Sequence, residues 1–250
     1  EEGEEDTKGG ILEDLEKEIA TFDKKQKYAA LSQIDGPQRI RGMAGSGKTI
    51  ILAMKAALIH LRNPNANILY TFYTKSLYDH IKQLITRFYR MHEDKDPNWD
   101  KIHIRHAWGG QNLPGVYYEA CIENGVSPMK FNDARIGASL KSMNVFEFVC
   151  HDLLTRKKGQ INKKYDYVLM DEGQDFSKPY YWLCRKLVKN DCLVWAYDEL
   201  QNILDIEIQE TKSLFENEFG DEGIDLAELQ RSHPRQNNDV VLHKSYRNPR

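Results

Sequence analysis

Arg41-Gly42-Met43-Ala44-Gly45-Ser46-Gly47-Lys48-Thr49 is the stretch on which the reading of the fold turns. From Gly42 it runs glycine, four residues, then Gly47, Lys48 and Thr49, which is the spacing of a phosphate-binding loop. Gly45 and Gly47 let the backbone turn tightly, so that successive N–H groups from Gly42 through Thr49 can point at polyphosphate oxygens. Lys48 supplies a mobile positive charge for the β- and γ-phosphates. Thr49 supplies a hydroxyl for Mg²⁺ at the positive end of the following helix. Gln38-Arg39-Ile40 predicts a strand before the loop, and Ile50 to Ile59, mostly apolar, predicts a buried helix after it.

Outward from the loop, Asn67 to Tyr73 predicts a strand. Ser76 to Met91 predicts a helix with Leu77, Ile81, Leu84, Ile85 and Phe88 on one face. Together these make one βαβ unit of an open parallel sheet. From His92 to about Asn144 the periodicity weakens while Gly, Pro, Asn and aromatic residues increase, among them Trp99, Trp108, Tyr117, Tyr118 and Phe131. A stretch of that length points to an inserted, mostly helical subdomain over 92–150. Val145 to Leu154 resumes helical spacing. Tyr165 to Met170 predicts a strand that delivers Asp171 and Glu172 to its carboxyl end, where ligands sit in such sheets. Asp171 is placed to hold Mg²⁺ and Glu172 to orient and deprotonate an attacking water. Asp191 to Tyr197 predicts a further buried strand ending in Asp198, with Gln201 beyond it as either a γ-phosphate sensor or a surface residue. Ile224 to Leu229 reads as another strand and Asp239 to Tyr246 as a short apolar segment. Gln26, upstream of the loop, either reads an adenine edge or is an ordinary surface glutamine. The basic turn at Arg156-Lys157-Lys158 and Lys163-Lys164 is either a solvated loop or a phosphate contact. The fold class is therefore α/β, a parallel sheet flanked by helices.

Composition narrows the class without deciding function. In 250 residues, 40% hydrophobic and 29% charged content describe an ordinary globular chain with room for one substantial core. No apolar run approaches the ~20 residues that span a bilayer, because Lys55 interrupts the best candidate. Residues 1–10 are acidic and glycine-containing, which suggests a linker and neither a signal nor a transit peptide. Cys121, Cys150, Cys184 and Cys192 form no C-x-x-C pair, so a reducing, cytoplasmic setting is expected. A net charge of -3 gives no global attraction to nucleic acid, so any such binding must come from a local groove.

Taken together, the motifs resemble those of superfamily 1 DNA helicases of the UvrD, Rep and PcrA type. Gln26, the phosphate loop, Thr71-Phe72-Tyr73-Thr74-Lys75, Asp171-Glu172-Gly173-Gln174-Asp175, Asp198 with Gln201, and Tyr246-Arg247 occur in that family's order. The resemblance covers the chain from about Phe22 to its end, and Gln174 within the acidic stretch is its most specific element. It implies a RecA-like first motor domain in two parts, 11–91 and 151–244. The 92–150 insertion lies between them, and 245–250 begins a second motor domain. The resemblance further implies that Gln26 contacts adenine with Tyr246 stacked near it. Gln201 and Arg247 would reach the γ-phosphate, and Thr71, Phe72, Tyr73, Thr74, His106 and Trp108 would lie along single-stranded DNA, with RNA as the alternative. Aromatic faces stack any base at about 1–3 kcal/mol each, although Phe72, on a buried-type strand, suits the core equally well. The chain departs from the family after Gln201, where Asn202 to Glu207 carries neither the usual aromatic nor the arginine, and at Ser245 in place of asparagine. Motifs V and VI are missing, so the opposite wall of the ATP cleft is expected outside this sequence. Three functions are weighed. The first is an ATP-driven translocase or helicase, moving 3′ to 5′ by resemblance. The second is a regulatory ATPase switch acting on a protein partner, and the third a small-molecule kinase, which the Asp171-Glu172 pair suits least.

Overall fold

The computed structural model describes residues 24–32, 35–110, 112–198, 211–234 and 236–242. Six strands form one sheet: β1 (Gln38–Gly42), β2 (Ile68–Phe72), β3 (Ile102–His106), β4 (Tyr167–Met170), β5 (Leu193–Asp198) and β6 (Asp239–Leu242). Their order across the sheet is β3-β2-β4-β5-β1-β6, and every pairing is parallel. The described helices are α1 (Lys24–Leu31), α2 (Lys48–Arg62), α3 (Leu77–Arg90), α4 (Val116–Glu123), α5 (Phe131–Leu140), α6 (Val145–Arg156), α7 (Lys178–Leu187), α8 (Thr211–Phe215) and α9 (Leu226–Ser232).

Strands covered on both faces must be apolar nearly throughout, and β2 and β5 are buried at every position. Alternation then divides their side chains between two layers. Ile68, Tyr70 and Phe72 join a core with α1, α2 and α3, while Leu69 faces a second core built from α4 to α9. In α3 the buried residues Ile81, Leu84, Ile85 and Phe88 recur at helical spacing, as the sequence predicts. Within α2 the buried Lys55 donates from Nζ to the Ser32 carbonyl just past the end of α1, which ties the two helices together.

The connections from β1 to β2 and β3 run through α2 and α3 on one face. Those from β3 back towards β6 run on the other face, as right-handed crossovers require when direction reverses. The reversal places topological switch points at the carboxyl ends of the strands, among them those between β5 and β1 and between β2 and β4. Segment 92–150 supplies the edge strand β3, and its helices α4 and α5, with α6, share the core of α7. The strand predicted over 224–229 is replaced by α9. Asp225 accepts the Glu228 N–H at 2.9 Å, and this cap commits the following residues to a helix. All four cysteines are free and buried. Among the described residues no helix is long and apolar enough to cross a membrane.

Candidate functional site

Gly42 closes β1 with Leu242 of β6 opposite it on one side and Asp198 of β5 on the other. A Cβ there would lie 2.7 Å from the Leu242 carbonyl oxygen and 2.9 Å from Ser46 Oγ, so only glycine fits. Gly45 (φ 74) and Gly47 (φ 80) occupy the left-handed region that the turn requires. Gly47 then caps α2 and accepts the Ile51 N–H at 3.0 Å. Met43, Ala44 and Gly45 are exposed, whereas Ser46 is buried. Lys48 folds back across the loop, and its Nζ donates to the Gly42 and Met43 carbonyls, each at 2.9 Å, and to Ser46 Oγ at 3.3 Å. Gln26, 2% exposed on α1, donates from Nε2 to the Ser46 carbonyl at 2.8 Å. The glutamine thus braces the loop from behind.

Asp171 follows β4, separated from β1 by β5, yet the Thr49 hydroxyl lies near enough to its carboxylate to favour the charged form. Its Oδ2 accepts from the Tyr70 hydroxyl at 2.9 Å and its Oδ1 from the Glu172 N–H at 2.9 Å. Burial raises the Asp171 pKa above its ordinary value, and the donors from Thr49 and Tyr70 oppose that rise. Burial and then the Asp171 charge push the Tyr70 phenol well above its usual range, so it remains a donor. Tyr70 is the site residue that sequence reasoning missed, because nothing in a strand's apolar run marks which ring carries a partnered hydroxyl. The adjacent Thr49 hydroxyl and Asp171 carboxylate are hard oxygen donors that fit Mg²⁺. Among the described residues no group of three or more His, Cys, Asp or Glu is placed to hold a metal. Two oxygens alone do not complete the octahedral shell of Mg²⁺, so its remaining ligands would have to come from phosphate and water.

Glu172 stands in the left-handed region (φ 55) and turns its carboxylate away from Thr49, towards the end of β2. Its Oε2 accepts the N–H groups of Tyr73 at 3.0 Å and Thr74 at 2.8 Å. Gln174 fastens the same turn to β5: its Oε1 accepts the Asp198 N–H at 3.0 Å and its Nε2 donates to Asp175 at 3.3 Å. The Tyr181 hydroxyl holds the Gly173 carbonyl at 2.9 Å from α7.

Of the residues expected along a nucleic-acid strand, Phe72 is 1% exposed and belongs to the core. The fully buried Thr71 shares its hydroxyl with Tyr180 at 2.5 Å. Tyr73, 46% exposed, and Thr74 stand at the surface. The His106 Nδ1 accepts the N–H groups of Trp108 at 3.2 Å and Gly109 at 3.3 Å, and the ring lies near the Tyr73 backbone. Burial lowers the pKa of His106, which favours the neutral ring, and with both N–H groups received at Nδ1 that ring carries its proton on Nε2. Trp108 lies against Phe146 and Phe131, with ring centroids 5.3 and 6.0 Å away. Phe131 is 59% exposed and extends this aromatic face beyond the expected residues. In the basic turn, Lys164 pairs with Glu123 and lies 3.8 Å from Glu119, so that ammonium belongs to a local ion cluster. Gln201, Tyr246, Arg247 and the acidic segment 1–10 lie outside the described residues.

Compared with protein-family models and with curated proteins, the chain matches none.

Proposed function

We propose that the chain is the first motor half of an ATP-dependent translocase or helicase that moves along single-stranded DNA. One observation carries this reading: the loop bearing Lys48 and Thr49 and the carboxylate of Asp171 meet at the carboxyl ends of a parallel sheet. That is where a triphosphate is bound and cleaved in such sheets. The N–H groups from Gly42 to Thr49 would bind the phosphates. Lys48 would exchange neutral carbonyl acceptors for charged oxygens, which form stronger hydrogen bonds. Mg²⁺, held by Thr49 and Asp171, would neutralise charge developing on the phosphates. Glu172 would take the proton of a water that attacks the γ-phosphorus as the bond to the β-γ bridging oxygen breaks, leaving ADP and phosphate. Gln26 fixes the loop through the Ser46 carbonyl, and its contact with adenine enters only through the family resemblance. Gln201, Tyr246, Arg247 and a second motor domain enter only through the family resemblance, as do the 3′ to 5′ polarity and the cytoplasmic setting. The exposed Tyr73 and Thr74, with His106 and Trp108 behind them, supply a surface for a strand beside the catalytic turn.

ATP binding and hydrolysis by the full-length protein that carries this chain, as wild type and Lys48→Ala, with and without oligothymidylate, test the proposal. Lys48→Ala should weaken ATP binding by at least about tenfold, the loss of one charge-assisted contact. Hydrolysis should rise when oligothymidylate is added. Equal hydrolysis with and without nucleic acid would remove the motor function and leave the regulatory ATPase.

A further inference from the structure

The proposed function asks Glu172 to receive a proton from water at the γ-phosphate, yet its carboxylate is engaged elsewhere. Both its hydrogen bonds, from Tyr73 N–H at 3.0 Å and Thr74 N–H at 2.8 Å, fall on one oxygen, Oε2. Two successive backbone N–H groups aimed at one point form a small anion seat. Here the seat is exposed, with Lys75 next in the chain and the Tyr73 ring beside it. It is also held in place independently of Glu172. The Ala107 N–H donates to the Phe72 carbonyl at 3.0 Å just before the seat, His106 receives the Trp108 and Gly109 N–H groups, and the Leu77 N–H donates to the Thr74 carbonyl at 3.0 Å.

We propose that this seat is shared in turn by the Glu172 carboxylate and by a backbone phosphate of the single strand, so that strand binding releases Glu172 for hydrolysis. The inference rests on the proposed function and deepens it by naming what restrains hydrolysis when no strand is bound. Two anions cannot occupy the same pair of N–H donors, since each would lose hydrogen bonds and repel the other. Glu172 stands in the left-handed region, a strained form that displacement of its carboxylate would free the backbone to leave. Linkage makes the coupling reciprocal: if a phosphate expels the carboxylate, removing the carboxylate must strengthen phosphate binding by the same factor.

The test is the affinity of labelled oligothymidylate, without nucleotide, for the wild type, Glu172→Ala and Asp175→Asn. Asp175 lies close enough to Glu172 for their charges to interact, but Glu172 alone accepts the two N–H groups, so Asp175→Asn controls for simple charge removal. Glu172→Ala should bind about three- to tenfold more tightly, the worth of one recovered charge-assisted hydrogen bond at an exposed loop. Asp175→Asn should stay within about twofold of the wild type, as expected for a screened charge. Equal affinities for the wild type and Glu172→Ala would overturn the shared seat while leaving the motor reading intact. An equal gain in both variants would reduce the effect to charge and overturn it too. If inorganic phosphate reproduces the Glu172→Ala difference in competition with the oligonucleotide but the strand gains nothing, the seat serves free phosphate and the strand-triggered release is wrong. A wild type that binds ATP but neither strand nor phosphate would overturn the nucleic-acid part of the proposed function, and the shared seat with it.

Discussion

Tyr70→Phe removes a single oxygen from the candidate site and leaves the ring in the core. Tyr70 is fully buried and donates to Asp171 Oδ2 at 2.9 Å, while Asp171 is only 3% exposed. Water cannot replace the lost donor there. A hydrogen bond to a charged group contributes about 1.5–3 kcal/mol. For a chain of this size about 1 kcal/mol moves Tm by about 2–4 °C, so Tm should fall by roughly 3–12 °C at about pH 8. The loss must also depend on pH. Burial already raises the Asp171 pKa, and removing a donor that favours the charged form raises it further. A carboxyl whose folded pKa lies above its unfolded value penalises the fold at pH above the folded pKa. The penalty fades as pH falls through that value and is gone below the unfolded value of about 3.9. Thermal melts of both proteins from about pH 8 to about pH 4 should therefore show the gap in Tm closing with acidity. A gap of equal size at every pH would mean that the hydroxyl matters for packing alone, and no gap at about pH 8 would refute the hydrogen bond.

Gly42→Ala drives a Cβ to 2.7 Å from the Leu242 carbonyl and 2.9 Å from Ser46 Oγ, so β6 or the loop must shift. The expected cost is about 1–3 kcal/mol, with weaker binding of labelled ATP, and an unchanged Tm together with unchanged binding would contradict the close approach. For Lys55, burial and then Arg62 lower the pKa to about 7, so the folded state binds its proton less readily than the unfolded chain. Its contribution to stability therefore improves as pH rises from about 7 to about 10.5, and Lys55→Met should remove that slope from a series of melts; an identical slope in both proteins would refute the buried ammonium.

The sheet was legible because its central strands are apolar at nearly every position and because Ile81, Leu84, Ile85 and Phe88 keep helical spacing. The tight turn from Gly42 to Gly47 was legible for a different reason: the positions of Gly42, Gly45 and Gly47 follow from backbone angles and close approaches that other residues cannot meet. The first turn of α9 was misread as strand because Ile224, Leu226 and Leu229 are apolar in either period, and the side-chain cap from Asp225 decides between them. Phe72 illustrates the limit of side-chain chemistry as a guide. An aromatic at a strand end suits a base or a core, and the period of two that sends Ile68 and Tyr70 inward sends Phe72 with them. The role of Gln174 was invisible for a related reason. Its partner, the Asp198 N–H, comes from β5, and only the sheet order brings that group beside it.

The placement of two consecutive acids shows how one turn serves two switch points of the sheet. A strand that simply continued past Met170 would alternate its side chains between the layers of the sheet, so Asp171 and Glu172 could not both line its carboxyl end. The chain instead breaks at Glu172 into the left-handed region, at a cost of about 1–2 kcal/mol for a residue with a Cβ. Asp171 then looks past β5 to Thr49, and Glu172 looks past the end of β2 to Tyr73 and Thr74. The hydrogen bond from the Glu172 N–H to Asp171 Oδ1, at 2.9 Å, offsets part of that strain and makes each residue's geometry depend on the other's. Any rearrangement of the oxygens around Asp171 therefore alters what holds the Glu172 backbone in its strained form, and release of the Glu172 carboxylate alters the donor that Asp171 accepts. The switch points between β5 and β1 and between β2 and β4 are joined across a single peptide bond.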